Sequence, residues 1–148
     1  MSISIRITAD TISPGLARAI RSTNNPRPIL EAMGLQLAAI TKRAFTDPAL
    51  RASAWAPRKG GGSHQLLRKS GALWHSPRIS ELTNSSVSVG SDRIYAAIQQ
   101  FGSSKKSGRG SGIPARPFFP FKARAMTPIA RQKIERIARA KIAAMLHS

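Results

Sequence analysis

The sequence predicts an α+β domain: a small antiparallel sheet packed with a long helix after residue 28 and a C-terminal helix, linked by long basic loops. Ile3, Ile5 and Ile7 alternate with Ser4, Arg6 and Thr8, the period of a half-buried strand. Ile29, Met33, Leu37, Ile40 and Ala44 recur at the spacing of one helix face. Ile79–Thr83 and Val87–Gly90 flank Asn84, Ser85 and Ser86 and read as a hairpin. With 148 residues the chain has the length of one domain, spanning 1–148, with a core of its own.

The remaining elements follow in order. After the first strand, Asp10 or Ser13 caps a short helix through Leu16, Ala17 and Ile20, with Pro14 in its first turn. Pro26 and Pro28 punctuate the chain, Pro28 opens the long helix, Phe45 closes it and Asp47–Pro48 ends it. Ala49–Gln65 has no period and contains Pro57 and Gly60–Gly62, so it reads as an exposed loop anchored by Trp55. Leu66–Trp74 has the pattern of a short helix weakened by Gly71. Arg93–Phe101 sets Ile94, Tyr95, Ala97, Ile98 and Phe101 at helical spacing, and Gly102 stops that helix with a positive φ.

Ser103–Gly112 holds no apolar residue and cannot order itself by burial, so flexible loops are expected near 57–65 and 102–112. Ile113–Phe121 is dense in proline and therefore extended and rigid, not a central strand. Thr127–Pro128 is a cap and first turn for the last helix. There Ala130, Ile134, Ile137, Ala138 and Met145 form the apolar side, with Arg124, Arg131, Arg136 and Arg139 mainly opposite.

Charge dominates the composition. Lys and Arg number 24 against 6 acids, a formal net charge of +18. Such a charge repels itself unless a polyanion or an acidic neighbour screens it. A membrane is the least suitable partner, because no apolar run approaches the roughly 18–20 residues that span one. Met1–Thr8 lacks the apolar core of a signal peptide, so synthesis in the cytoplasm is expected. The absence of cysteine removes disulfides, thiolate metal sites and thiol nucleophiles.

No constellation of catalytic groups stands out, and no catalytic residue, metal or cofactor is expected. His64, His75 and His147 lack ligand spacing, and Asp10, Glu31, Asp47, Glu81, Asp92 and Glu135 are scattered singly. Two-metal hydrolysis needs clustered carboxylates, and only Glu81 and Asp92 are near enough in sequence to consider. Lys59 precedes its glycines, the reverse of a phosphate-binding loop. The basic residues are the one constellation with physical content. Arg58 and Lys59 flank one glycine-rich loop, and Lys105, Lys106 and Arg109 stud another. From Arg93 onward twelve basic residues face the single acid Glu135. Flexible basic loops follow a phosphate backbone without reading bases, which makes these five residues candidates to face DNA or a channel.

An ordered set of motifs resembles the virion morphogenesis, or tail-completion, family of Mu-like and related tailed phages. Phe45 closes a helix, then come Trp55-Ala56-Pro57 and a basic loop, Leu66–Leu73 (Leu-Leu-Arg-Lys-Ser-Gly-Ala-Leu) and Val87–Gly90. Tyr95–Gly102 (Tyr-Ala-Ala-Ile-Gln-Gln-Phe-Gly) and Ile113–Pro120 (Ile-Pro-Ala-Arg-Pro-Phe-Phe-Pro) complete it around a variable loop. Ala52-Ser53-Ala54 stands where members often have Pro-x-Gly, and Gln99 where they often have His. The resemblance implies a structural protein of the virion's head–tail junction, a homo-oligomeric ring, by expectation a hexamer, around the DNA channel. Its partners would be neighbouring neck, connector or tail-tube proteins.

Trp55, Tyr95, Phe101, Phe118 and Phe119 are then core or loop anchors. Trp55, Arg116, Phe118, Phe119, Arg131 and Arg139 are the candidates for an oligomer interface, with Arg116 held by rigid backbone against a neighbour or the Phe101–Gly102 turn. The alternative is a nonspecific DNA-binding accessory of head morphogenesis or packaging.

Overall fold

The computed structural model describes residues 3–55, 73–93, 95–102, 114–122 and 125–146. The chain forms strand β1 (Ile3–Ile7), helices α1 (Pro14–Arg21) and α2 (Arg27–Arg43), strands β2 (Arg78–Leu82) and β3 (Val87–Ser91), and helix α3 (Ala96–Phe101). Two short strands, β4 (Phe121–Lys122) and β5 (Ala125–Met126), precede the last helix, α4 (Pro128–Leu146). Single 3-10 turns occupy Ala9–Thr11 and Pro48–Leu50. The fold is α+β, as expected.

The main sheet has the order β1-β3-β2 and is antiparallel throughout. The expected hairpin forms β2 and β3, and β1 pairs on the far side of β3 with Ile3 opposite Ser91 and Ile7 opposite Val87. A bulge between Ile79 and Glu81 shifts the register of β2. Ile7, Val87 and Val89 are fully buried on the face that meets α2. The opposite face aligns Arg6, Ser88 and Glu81 in one row and Ser4, Gly90 and Arg78 in the next.

Helix α2 packs on the sheet and on α4 at once. Its predicted stripe is all buried, and a neighbouring row, Leu30, Gly34, Ala38 and Thr41, is buried as well. Each large aliphatic side chain fully removed from water contributes about 2 kcal/mol. Thr41 tolerates this setting because its hydroxyl donates to the Leu37 carbonyl at 2.8 Å. At Gly34 the helix crosses close to the sheet: a Cβ there would lie 2.6 Å from Val87 Cγ2 and 3.0 Å from Ile79.

The far end of α2 is capped by side chains from later in the chain. Arg51 donates from Nε to the Ala44 carbonyl at 2.6 Å and from Nη2 to Phe45 at 3.3 Å. Trp74 Nε1 donates to the Lys42 carbonyl at 3.0 Å. The Arg51 bonds take carbonyls that a helix terminus leaves without partners, and the Lys42 carbonyl also accepts from Phe45 N at 3.3 Å. Burial lowers the Arg51 pKa and the nearby Asp47 opposes that shift, and its guanidinium sits 3.6 Å over the Trp55 ring.

The structure refines several elements and corrects the reading of α3. The long helix starts at Arg27 with Pro28 inside its first turn, and Asp47 caps the following 3-10 turn by accepting from Ala49 N. Helix α3 is shorter than Arg93–Phe101, and its buried residues are Ala96 and Gln100. Tyr95, Ile98 and Phe101 instead stand 38, 42 and 71% exposed. In α4, Glu135 is buried beside Ala130, Ile134 and Ala138. Thr127 caps α4 through Oγ1, accepting from Ala130 N, and Gly102 has the expected positive φ of 73°. Leu73–His75 is a turn, while the rest of the helix expected at Leu66–Trp74 and the loops near 57–65 and 103–112 lie outside the described residues.

Gly34→Val forces side-chain volume into the α2–sheet crossing. The expected result is a loss of about 2 kcal/mol or more in stability, measured by urea denaturation.

Candidate assembly surface

Among the described residues the chemistry-bearing groups do not converge. Among the described residues no three His, Asp or Glu side chains are placed to hold a metal ion. Glu81 pairs across the sheet with Ser88, whereas Asp92 follows the last residue of β3, about 13 Å further along the ladder. Asp92 is held by Arg78 at 2.9 Å and Arg93 at 3.9 Å. His75 is exposed and leans on the Trp74 ring at 4.3 Å, and His64 and His147 lie outside the described residues.

What the fold does build is a polar clamp on the proline-rich segment. The buried Gln100 side chain accepts from Phe118 N at 3.0 Å and Phe119 N at 2.9 Å, and donates to the Phe119 carbonyl at 3.1 Å. Trp55 Nε1 donates to the Pro117 carbonyl at 2.9 Å, and Arg116 N donates to the Gln99 carbonyl at 2.7 Å. An extended segment outside the main sheet thus finds partners for its backbone. Beneath it, Phe45, Trp55, Phe118 and Phe119 form one aromatic cluster with centroids 4.9 to 5.7 Å apart.

Because Gln100 faces inward, the other side of α3 faces out. Helix α3 carries no charge, and Ile98 and Phe101 project from it beside Tyr95. Phe101 borders a shallow groove of about 310 Å³ with Phe121, Ile3, Ile5 and Arg6. The groove runs along the outer side of β1, which is an edge of the sheet among the described residues. An exposed apolar side chain beside an unpaired strand edge is a surface suited to another chain.

Three of the six acids are engaged within the subunit. Asp47 caps a turn, Asp92 holds two arginines, and Glu135 Oε1 accepts from Ser13 N, at the start of α1, at 2.9 Å. Burial raises the Glu135 pKa, but the Ser13 side chain and amide, Arg131 and Arg139 outweigh it and hold the carboxyl below its ordinary range. Its Oε2 lies 3.4 Å from Arg131. Arg6, Arg18, Arg21, Arg27, Arg43, Arg136, Arg139 and Lys141 are exposed, with no ion pair among the described residues.

The residues singled out in the sequence scatter. Arg58, Lys59, Lys105, Lys106 and Arg109 lie outside the described residues. Phe118 and Phe119 are fully buried and Trp55 is 9% exposed, so their rings fill the subunit's own core and leave almost no surface for a neighbour. Arg116 reaches α3 through its backbone, next to the turn where it was expected. Arg131 and Arg139 are exposed on α4 on either side of the Glu135 carboxyl. Sequence reasoning missed Gln100 and the outward turn of Phe101. The available signal was the spacing of Ala96 and Gln100, one helical turn apart, opposite a segment rich in proline.

The model of the phage virion morphogenesis family matches residues 7–143. No curated protein and no solved structure matches the chain.

Gln100→Leu keeps volume but leaves the buried Phe118 and Phe119 amides unpaired, with an expected cost of about 3 kcal/mol in chemical denaturation. A carboxyl held low in the folded state stabilises the protein above its ordinary pKa of 4.5 and loses that contribution as pH falls through the folded value. Thermal melts at falling pH should therefore show a steeper acid loss in the native protein than in Glu135→Gln.

Proposed function

The chain belongs to the phage virion morphogenesis family, and on that premise we propose that it is a neck or tail-completion protein that closes into a ring at the head–tail junction, around the DNA channel. The family's role is in building the phage particle. No helix among the described residues is long and apolar enough to cross a membrane.

One observation carries the proposal: an uncharged helix exposes Ile98 and Phe101 beside an open strand edge on a strongly cationic subunit. Two copies of so basic a chain repel wherever their cations face each other. Helix α3 adds none of that cost, and Arg6 is the cation that borders its groove, so this is where a second copy approaches most easily. A contact between this surface and a different patch on the next copy is heterologous, and heterologous contacts close into rings when the rotation permits. A hexamer with basic loops toward the channel is the form we propose, with neck, connector or tail-tube proteins above and below it. Enzymatic chemistry has no part in this reading.

The exposed, unpaired arginines favour a second reading, a nonspecific DNA-binding accessory of head morphogenesis or packaging. Binding of the free subunit to duplex DNA across a salt series separates the two, because the accessory requires tight binding with a steep negative salt slope.

Phe101→Ser tests the ring. Phe101 is 71% exposed, so the variant should keep its melting temperature while its mass in light scattering falls from oligomer to monomer. In a phage complementation assay the same variant should yield heads and tails that fail to join. A native protein that stays monomeric at every salt concentration, and is missing from reconstructed necks, would sink the proposal.

A further inference from the structure

A second surface, made of different residues from the α3 patch, lies between α1 and α4. A groove of about 310 Å³ runs between the two helices, bordered by Leu16 and Ala19 on one side and Ile142 and Leu146 on the other. Leu16 is buried and forms the floor, while Leu146 is 78% exposed at the open end. Gly15 lines the same groove, and a Cβ placed on it meets nothing nearer than the Arg18 guanidinium at 4.0 Å, so the missing side chain keeps the groove wide. Arg139 lines the wall on α4, and Arg18 folds along α1 over Gly15.

The charges at this rim are one-sided. Glu135, the only acid in α4, is already turned into the fold, bonded to Ser13 N and paired with Arg131. Arg18 has no carboxylate within ion-pair distance among the described residues, and Arg139 interacts with the Glu135 carboxylate only from beyond that distance. An apolar trough between two helices with cationic walls matches one kind of ligand: a helix with aliphatic side chains on one face and carboxylates beside them. We propose that the α1–α4 groove docks an acidic amphipathic helix of a partner protein, its aliphatic face on Leu16, Ala19, Ile142 and Leu146 and its carboxylates on Arg18 and Arg139. A nucleic acid would use the arginines but has nothing to place on the apolar floor. The inference does not depend on ring closure and stands or falls on its own test.

The probe is a synthetic helix of about four turns, with leucines at positions i, i+4 and i+7 and glutamates flanking them. Titrated into the full-length protein, it should bind about tenfold or more tightly than a scrambled peptide or one with lysines for glutamates. Gly15→Leu, which fills the groove without disturbing the core, and Leu146→Ser, at an exposed position, should each weaken that binding by about tenfold or more with unchanged melting temperature. Arg139→Gln should weaken it and flatten its salt dependence. Equal binding of acidic and scrambled peptides, no binding at all, or binding indifferent to Gly15→Leu overturns the proposal. So does a result in which Gly15→Leu instead weakens binding to duplex DNA or to phosphatidylglycerol vesicles.

Discussion

Helix α2 touches the sheet on one side and α4 on another, and the distance of that first contact is set at Gly34. A methyl group at that position would enter the space of Val87 and Ile79. The close crossing presses the two buried rows of α2 against β2, β3 and α4, so the helix works as the spine of the domain. Its C-terminal end is fixed in turn by Arg51 and Trp74, which bind carbonyls at or just beyond its last turn. Moving α2 outward would loosen the sheet, α4 and those two caps together, because interiors transmit displacement as close-packed solids do.

The proline-rich segment solves a different problem. Pro114, Pro117 and Pro120 lack amide donors, and the segment joins the main sheet nowhere. The amides of Arg116, Phe118 and Phe119 and the carbonyls of Pro117 and Phe119 are met by Gln100, Trp55 and the Gln99 carbonyl, side chains and backbone brought from two distant parts of the chain. This arrangement decides what α3 shows to solvent. With Gln100 committed inward, Ile98 and Phe101 have no interior left to enter. The surface offered to another chain is therefore a by-product of how the proline segment is held.

Elements written in simple periods were legible from the residues: alternation at Ile3, Ile5 and Ile7, the stripe from Ile29 to Ala44, the hairpin around Asn84–Ser86, and the cap at Thr127. Burial of α3 was not, because hydrophobicity alone assigns Phe101 to the interior and Gln100 to solvent. A carboxamide bridging two amides and a carbonyl is worth more inside than its side-chain polarity suggests, and only the fold supplies those partners. The same holds for Glu135, an acid on an otherwise basic helix, whose partner Ser13 lies 122 positions away. Trp55, Phe118 and Phe119 were legible as anchors but not as wholly internal ones, since their cluster needs Phe45 from the end of α2.

The pairing of β1 with β3 has a consequence for biosynthesis. Ile3 meets Ser91, so β1 waits until β3 has been made before its hydrogen bonds can form. Contacts that distant in sequence slow folding and leave the early segment bare in the meantime. Arg6 and Ser4 on its polar face make that bare strand a poor template for premature pairing with other nascent copies. The polar face of this strand thus protects the polypeptide during translation, before there is any folded subunit to assemble.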